Sequence, residues 1–234
     1  MNDRIEGIVL SLQDYREADQ LIRVLTKEYG VLTFLSRSSK KMTAKNRVLP
    51  LGRYEFLADY KEGKTMLPLH TAKILEDFYE DKYIEKLAFL NIFPDICVKA
   101  ADLVTPEYYD ELLFILRNGK GEDRYLAGCL FFAFLMKEFG IAPIVDSCAV
   151  CGKKQVVAIS NEEGGFLCEE HLKGEEPLDI DRLRKFRILH KASLEHFEIL
   201  KDFGFDRKDF TLNADFFLHN SDLRLRSYEF YTKC

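Results

Sequence analysis

Four metal-binding side chains stand in two close pairs. Cys148 and Cys151 lie in CAVCG, Cys168 and His171 in CEEH, and 16 residues (152–167) separate the pairs. No other feature constrains the fold of this chain as tightly. Each pair lets one turn of backbone offer two donors to a single ion. Two pairs complete a tetrahedron, the geometry Zn²⁺ favours with thiolate and imidazole. Four protein donors leave no open position for water, so the expected zinc is structural rather than catalytic. Between the pairs, QVVAIS (155–160), NEEGG (161–165) and FLC (166–168) read as a short hairpin with a Gly-Gly turn. That is the layout of a zinc ribbon, expected here as a module over residues 145–175.

Charge is unevenly placed. The net charge is −5, which argues against a chain that coats nucleic acid with its whole surface. Yet between Tyr29 and Tyr54 there are six basic residues (Arg37, Lys40, Lys41, Lys45, Arg47 and Arg53) and no Asp or Glu, leaving −11 for the remainder. An acidic body with one concentrated basic loop is a candidate phosphate-binding surface, or else a solvated flexible loop. The longest apolar stretch, YLAGCLFFAFLM (125–136), is too short to span a bilayer and reads as a core helix. The charged opening MNDRIEG lacks the apolar run of a secretory signal. Cys97, Cys129 and Cys234 beside a thiolate site suit a reducing compartment, so the expected location is cytoplasmic, with no membrane partner.

Hydrophobic periodicity divides the chain. Residues 4–12, 19–26, 31–36, 53–60 and a run ending near residue 73 alternate as strands, with a turn at 27–30 and the basic loop after the third. Five short strands with an exposed loop suit a small OB-like barrel, which also removes exposed sheet edges. From residue 82 the spacing becomes helical. Thr105-Pro106-Glu107 marks a helix start, residues 123–139 form the most apolar helix, and two more helices follow around Leu183–Leu189 and Leu194–Leu200. A final helix is expected from about Asp215 to Tyr231. The expected architecture is α+β: an OB-fold nucleic-acid-binding domain over 1–78, then an α-helical domain over 79–234 carrying the zinc-ribbon-like insertion.

The chemistry on offer is binding rather than catalysis. Phe34, Tyr54, Phe56 and Tyr60 are candidates to stack on bases, though Tyr54, Phe56 and Tyr60 share one strand face and equally suit the barrel core. A second basic run (Arg182, Arg184, Lys185, Arg187, Lys191) is a solvated helix face or a patch for nucleic acid or an acidic tail, and Arg224 and Arg226 are similarly ambiguous. No phosphate-binding G-x-x-x-x-G-K-[ST] loop, H-E-x-x-H or deaminase signature occurs. Asp14, Glu17 and Asp19 cluster as a two-metal nuclease would need, but their place in a turn makes them surface acids. His70, His190, His196 and His219 lack a nucleophile partner. No catalytic residues are assigned, and the chain is expected not to be an enzyme.

These parts, in this order, resemble the RecO recombination mediators of bacteria. The similarity is carried by GIVLSLQDYREADQLIRVLTKEYGVLTFLSR (7–37), the basic loop leading into VLPL (48–51), CAVCG…GGFLCEEH, and LRLRSYEFY (223–231). His171 stands where many members carry a fourth Cys. The resemblance implies a protein of DNA repair and homologous recombination that binds single- and double-stranded DNA and anneals complementary strands without ATP. It further implies that RecR is a partner, and that RecA is loaded indirectly onto strands coated with single-stranded-DNA-binding protein, whose acidic tail is a contact. The family's DNA contacts would fall on Arg37, Lys40, Lys41, Lys45, Arg47 and Arg53, and its setting is the bacterial nucleoid. From another class, an OB-fold RNA-binding or ribosome-associated zinc protein would use the same parts.

Overall fold

Alternating side chains close the N-terminal strands into a barrel. In the computed structural model, which describes residues 3–41, 44, 46–64, 66–79 and 83–234, these are β1 (Asp3–Tyr15), β2 (Asp19–Thr26), β3 (Gly30–Ser36), β4 (Gly52–Ala58) and β5 (Leu67–Asp77). They close in the order β1-β2-β3-β5-β4. Every neighbour pair is antiparallel except β3 with β5, which meet in parallel at Phe34–Leu67 and Leu35–Pro68. A register shift between Val9 and Ser11 bends β1, so that one long strand pairs with β2 on one edge and β4 on the other. Gly7 lies where β1 and β2 approach closely, and a Cβ there would meet Val24 Cγ1 at 2.3 Å. Inside the barrel sit Ile5, Val9, Ile22, Val24, Phe34, Tyr54, Phe56, Leu67 and Leu69. At the β2–β3 turn Gly30 takes a φ of +66°, and Thr26 Oγ1 donates to its carbonyl at 2.8 Å.

The contacts divide the chain into two compact units, Met1–Lys120 with Leu225–Cys234, and Gly121–Arg224. The barrel ends at Asp77, so the first unit also holds α1 (Ile84–Lys99), α2 (Tyr108–Asn118) and a terminal helix. Residues 105–107 form a turn rather than the first helical residues, with Tyr108 N donating to Thr105 O.

The second unit holds α3 (Arg124–Glu138), the hairpin β6 (Ala158–Ser160) and β7 (Gly165–Leu167), then α4 (Ile180–Leu189), α5 (Phe197–Leu200) and α6 (Arg207–Ser221). Its core is aromatic: Phe132 packs on Phe210 and Phe217 at 5.6 and 5.5 Å between ring centres, and Phe139 packs on Phe217 at 5.3 Å. The single closing helix expected from Asp215 to Tyr231 is two helices. Asp222 turns left-handed (φ +55°) and ends α6, and α7 (Arg226–Tyr231) starts anew in the other unit. There Tyr231 packs edge-on against Phe89 of α1, and Ser227 Oγ donates to Asp95 at 2.7 Å. Among the described residues no helix is long and apolar enough to cross a membrane.

Candidate metal centre and nucleic-acid interface

The quartet is assembled by two tight turns. Gly152 N donates to Cys148 O at 2.9 Å, and Gly152 adopts a φ of +75°, closing the first turn around Cys148 and Cys151. Cys168 opens a 3-10 turn (Glu169–His171), and His171 N donates to Cys168 O at 3.0 Å. The β6–β7 hairpin then brings the turns together, so that all four donor atoms lie within 4.8 Å of one another. Cys168 Sγ and His171 Nδ1 are 3.2 Å apart, Cys148 Sγ and His171 Nδ1 3.8 Å, and Cys151 and Cys168 sulfurs 3.7 Å. Two thiolates on one tetrahedral zinc, each about 2.3 Å from it, would stand roughly 3.8 Å apart. The donor set therefore fits one metal ion held entirely by protein. Burial alone would raise the Cys148 thiol. Backbone N–H groups of Cys168, Cys151 and Val150 at its sulfur override that and bring it down to about 6, which favours the thiolate a metal needs.

The basic loop is anchored on the β1–β2 turn. Ser38 N donates to Asp19 Oδ1 at 2.8 Å, Ser39 Oγ to Gln20 Oε1 at 3.0 Å and Lys40 N to Ala18 O at 3.3 Å. Asn46 Nδ2 donates to Arg37 O, and Ser36 Oγ donates back to Asn46 O. Arg37, Lys41 and Arg47 are exposed, and their side-chain cations have no ion-pair partner among the described residues. Lys40 pairs with Asp14 at 2.8 Å, and this hydrogen bond holds the Asp14 carboxyl below its usual range. Lys45 lies outside the described residues. Arg53 is placed differently. It faces Glu6 and Glu76, each at 3.2 Å, while Arg117 donates to Glu76 at 2.8 and 3.0 Å and Tyr109 to Glu6 at 2.6 Å. This guanidinium ties β4 to β1 and β5, and α2 joins the same two carboxylates through Tyr109 and Arg117.

The aromatic candidates belong to the core. Phe34 and Phe56 are fully buried and stacked at 5.1 Å, and Tyr54 is 4% exposed with its hydroxyl accepting from Leu49 N. Tyr60 stacks on Tyr29 at 4.2 Å. Tyr29, 40% exposed in the turn before Gly30, is the one aromatic of this group open to solvent. The sequence offered only the turn as a signal for it. Asp14 and Asp19 anchor the loop rather than gather a metal, and the Cys/His quartet is the one metal-capable cluster among the described residues.

The family model described as Recombination protein O N terminal matches residues 1–78, and the model Recombination protein O C terminal matches residues 104–201. The chain belongs to the RecO family. It is 28% identical over 178 residues to the DNA repair protein RecO of Lactobacillus helveticus, covering 71% of this chain and 69% of that one. To the DNA repair protein RecO of Bacillus mycoides it is 25% identical over 183 residues, covering 73% and 71%.

In this RecO chain the second basic run turns mostly inward. Arg182 donates to Asp209 at 2.6 Å and Asp206 at 3.2 Å. Lys185, 8% exposed, meets Asp181 and Asp209 and donates to Gly204 O. Burial works against the Asp206 carboxylate, but Arg182 prevails and holds it down at about 2, whereas burial dominates at Asp209 and raises it. Arg187 donates to Val145 O at 2.7 Å over the Phe166 ring, and Lys191 pairs with Asp146. Arg182 and Lys185 lock α4 onto α6 and Arg187 fastens it to the ribbon, while Lys191 stays exposed in its surface pair with Asp146. Arg184 alone of the run stays exposed without a partner among the described residues. It lines a cleft of about 650 Å³ between ribbon and α4, with Val156, Val157 and Leu183.

Proposed function

We propose that this RecO chain is a non-enzymatic mediator of DNA repair and recombination whose barrel and basic loop hold the phosphates of single- and double-stranded DNA. The observation that supports this most directly is the exposed set Arg37, Lys41 and Arg47 on a loop fastened to the β1–β2 turn. Lys45 joins them by sequence, and Lys40 exchanges Asp14 for phosphate. Arg53 serves by bracing the strand beneath. Such cations neutralise phosphates without reading bases, so two strands are screened from each other while their base edges stay free to pair. Annealing without a nucleotide follows.

In the wider reaction the chain works with RecR in the bacterial cytoplasm, at the nucleoid, to help RecA onto strands coated by single-stranded-DNA-binding protein. The cleft beside Arg184, with its apolar floor, is the proposed seat for that protein's acidic tail. Zn²⁺ is the proposed ion of the Cys148, Cys151, Cys168 and His171 site, where it holds the ribbon together.

Annealing of complementary oligonucleotides, bare and coated, across a salt series tests this reading. Charge reversal of Arg37, Lys41 and Arg47 together should flatten the log–log salt slope of DNA binding by about 2–3. An unchanged slope places the DNA elsewhere. RNA that competes better than DNA of the same sequence would favour the RNA-binding alternative, because the 2′-OH is what distinguishes them. Shortened substrate in Mg²⁺ or Mn²⁺ would point to a nuclease.

A further inference from the structure

The three thiols of the quartet are not equally accessible. Cys148 and Cys168 are 2% and 3% exposed, His171 is half-buried and Cys151 is open to solvent. Cys151 Sγ lies 3.7 Å from Cys168 Sγ. A small oxidant therefore meets Cys151 first and finds a second sulfur 3.7 Å away.

We infer that Cys151 and Cys168 form a peroxide-responsive thiol pair whose oxidation ejects the metal and unravels the ribbon while the barrel stays folded. The inference rests on the metal-centre reading above. The Cys151 thiolate attacks one peroxide oxygen, the O–O bond breaks, and Cys151 becomes a sulfenic acid as hydroxide leaves. The Cys168 thiolate then attacks the Cys151 sulfur, an S–S bond forms, and a second hydroxide departs. Two electrons pass from the two sulfurs to the peroxide, which ends as two waters once protonated. The ion keeps only Cys148 and His171 and is released, since metal affinity here is also folding free energy.

The ribbon's own core is small, and Phe166 on Phe186 with the Arg187 hydrogen bond to Val145 O fastens it to α4. The ribbon strands are three residues each, and the buried cluster is Cys148, Ala158, Leu167 and Cys168, with Val156 and Leu172 packed beside them. Half of that buried cluster is metal ligands. The cleft loses its ribbon wall when the module opens, because Lys153, Lys154, Val156, Val157 and Cys168 all line it. Cys97 and Cys129 are fully buried, so Cys234 is the other thiol an oxidant reaches.

The test uses the full chain carrying Cys234→Ser, purified reduced, with its metal content measured first. Hydrogen peroxide is titrated in the presence of a chromogenic zinc chelator. Digestion without reductant locates cross-links, and hydrogen exchange follows the backbone. Complete metal release in step with a Cys151–Cys168 cross-link is expected, with protection lost over 145–175 and kept in β1–β5. Reductant with added Zn²⁺ should restore all three. A Cys151→His variant keeps four donors but removes the accessible thiol, so it should hold its metal under the same peroxide. Metal retained by the parent, or lost equally from Cys151→His, overturns the inference alone. Reduced protein without metal overturns the metal-centre reading and the inference with it.

Discussion

Two buried or half-buried groups carry more than their residue types suggest. His190 is 8% exposed, with its ring 4.5 Å from Phe186. Burial brings it down to about 3 from 6.5. A histidine depressed by folding takes up its proton more readily when unfolded, so its contribution is complete above about pH 6.5 and is lost as pH falls toward 3. Between pH 6.5 and 4.5 that loss amounts to about 2–3 kcal/mol. Urea titrations of the wild type and His190→Asn should show the acid slope in the first and a flatter one in the second; parallel slopes would remove His190 as the cause. Arg53 makes the second case. Arg53→Ala leaves Glu6 and Glu76 short of a partner and should cost about 1–2 kcal/mol, discounted because the pair is partly solvated, with the salt slope of DNA binding unchanged. Arg47→Ala should do the reverse, lowering the slope by about 0.9 with stability intact. Equal effects of the two substitutions on the slope would contradict the separation. The strand pattern sets Arg53 at the start of β4 and Arg47 in the loop before it, but it does not name the acids that Arg53 meets. Glu6 and Glu76 reach Arg53 only through strand pairing.

At the scale of elements, the ribbon and the barrel differ in what holds them. The barrel closes on a continuous apolar interior, whereas the ribbon has two three-residue strands around its ligands. Cys148→Ser, or a strong chelator, should release the metal and expose amides over 145–175 while β1–β5 retain protection, a pattern hydrogen exchange reads directly. Uniform loss of protection would mean that the metal stabilises far more than its own module. The period-2 strands were legible because inward and outward residues alternate, as in β4, where Gly52, Tyr54, Phe56 and Ala58 are buried and the residues between them are not. The α4 charges were not legible. Arg182 finds Asp206 and Asp209 some 24 and 27 residues downstream, and no helical spacing announces a partner on another helix.

For the whole molecule, the chain's return to its first unit matters most. Tyr231 is fully buried against Phe89, although it lies only three residues before Cys234. Tyr231→Ala should destabilise the first unit by about 3–4 kcal/mol and leave the second unit's exchange pattern unchanged. A change confined to the second unit would contradict the division of the chain. The expected single helix from Asp215 to Tyr231 misses this return, because Asp222 takes a left-handed turn that an aspartate tolerates but does not advertise.

The sequence by itself determined what is local: the ligand quartet at its turn spacing, the alternating strands, and the cluster of cations after β3. Tertiary structure decided which of those cations remain free, which α4 charges are spent on α6, and where the last helix lies. Turns and periodicities act over a few residues and leave marks in the chain. Ion pairs and helix returns depend on residues tens of positions apart, and only closing the fold brings them together.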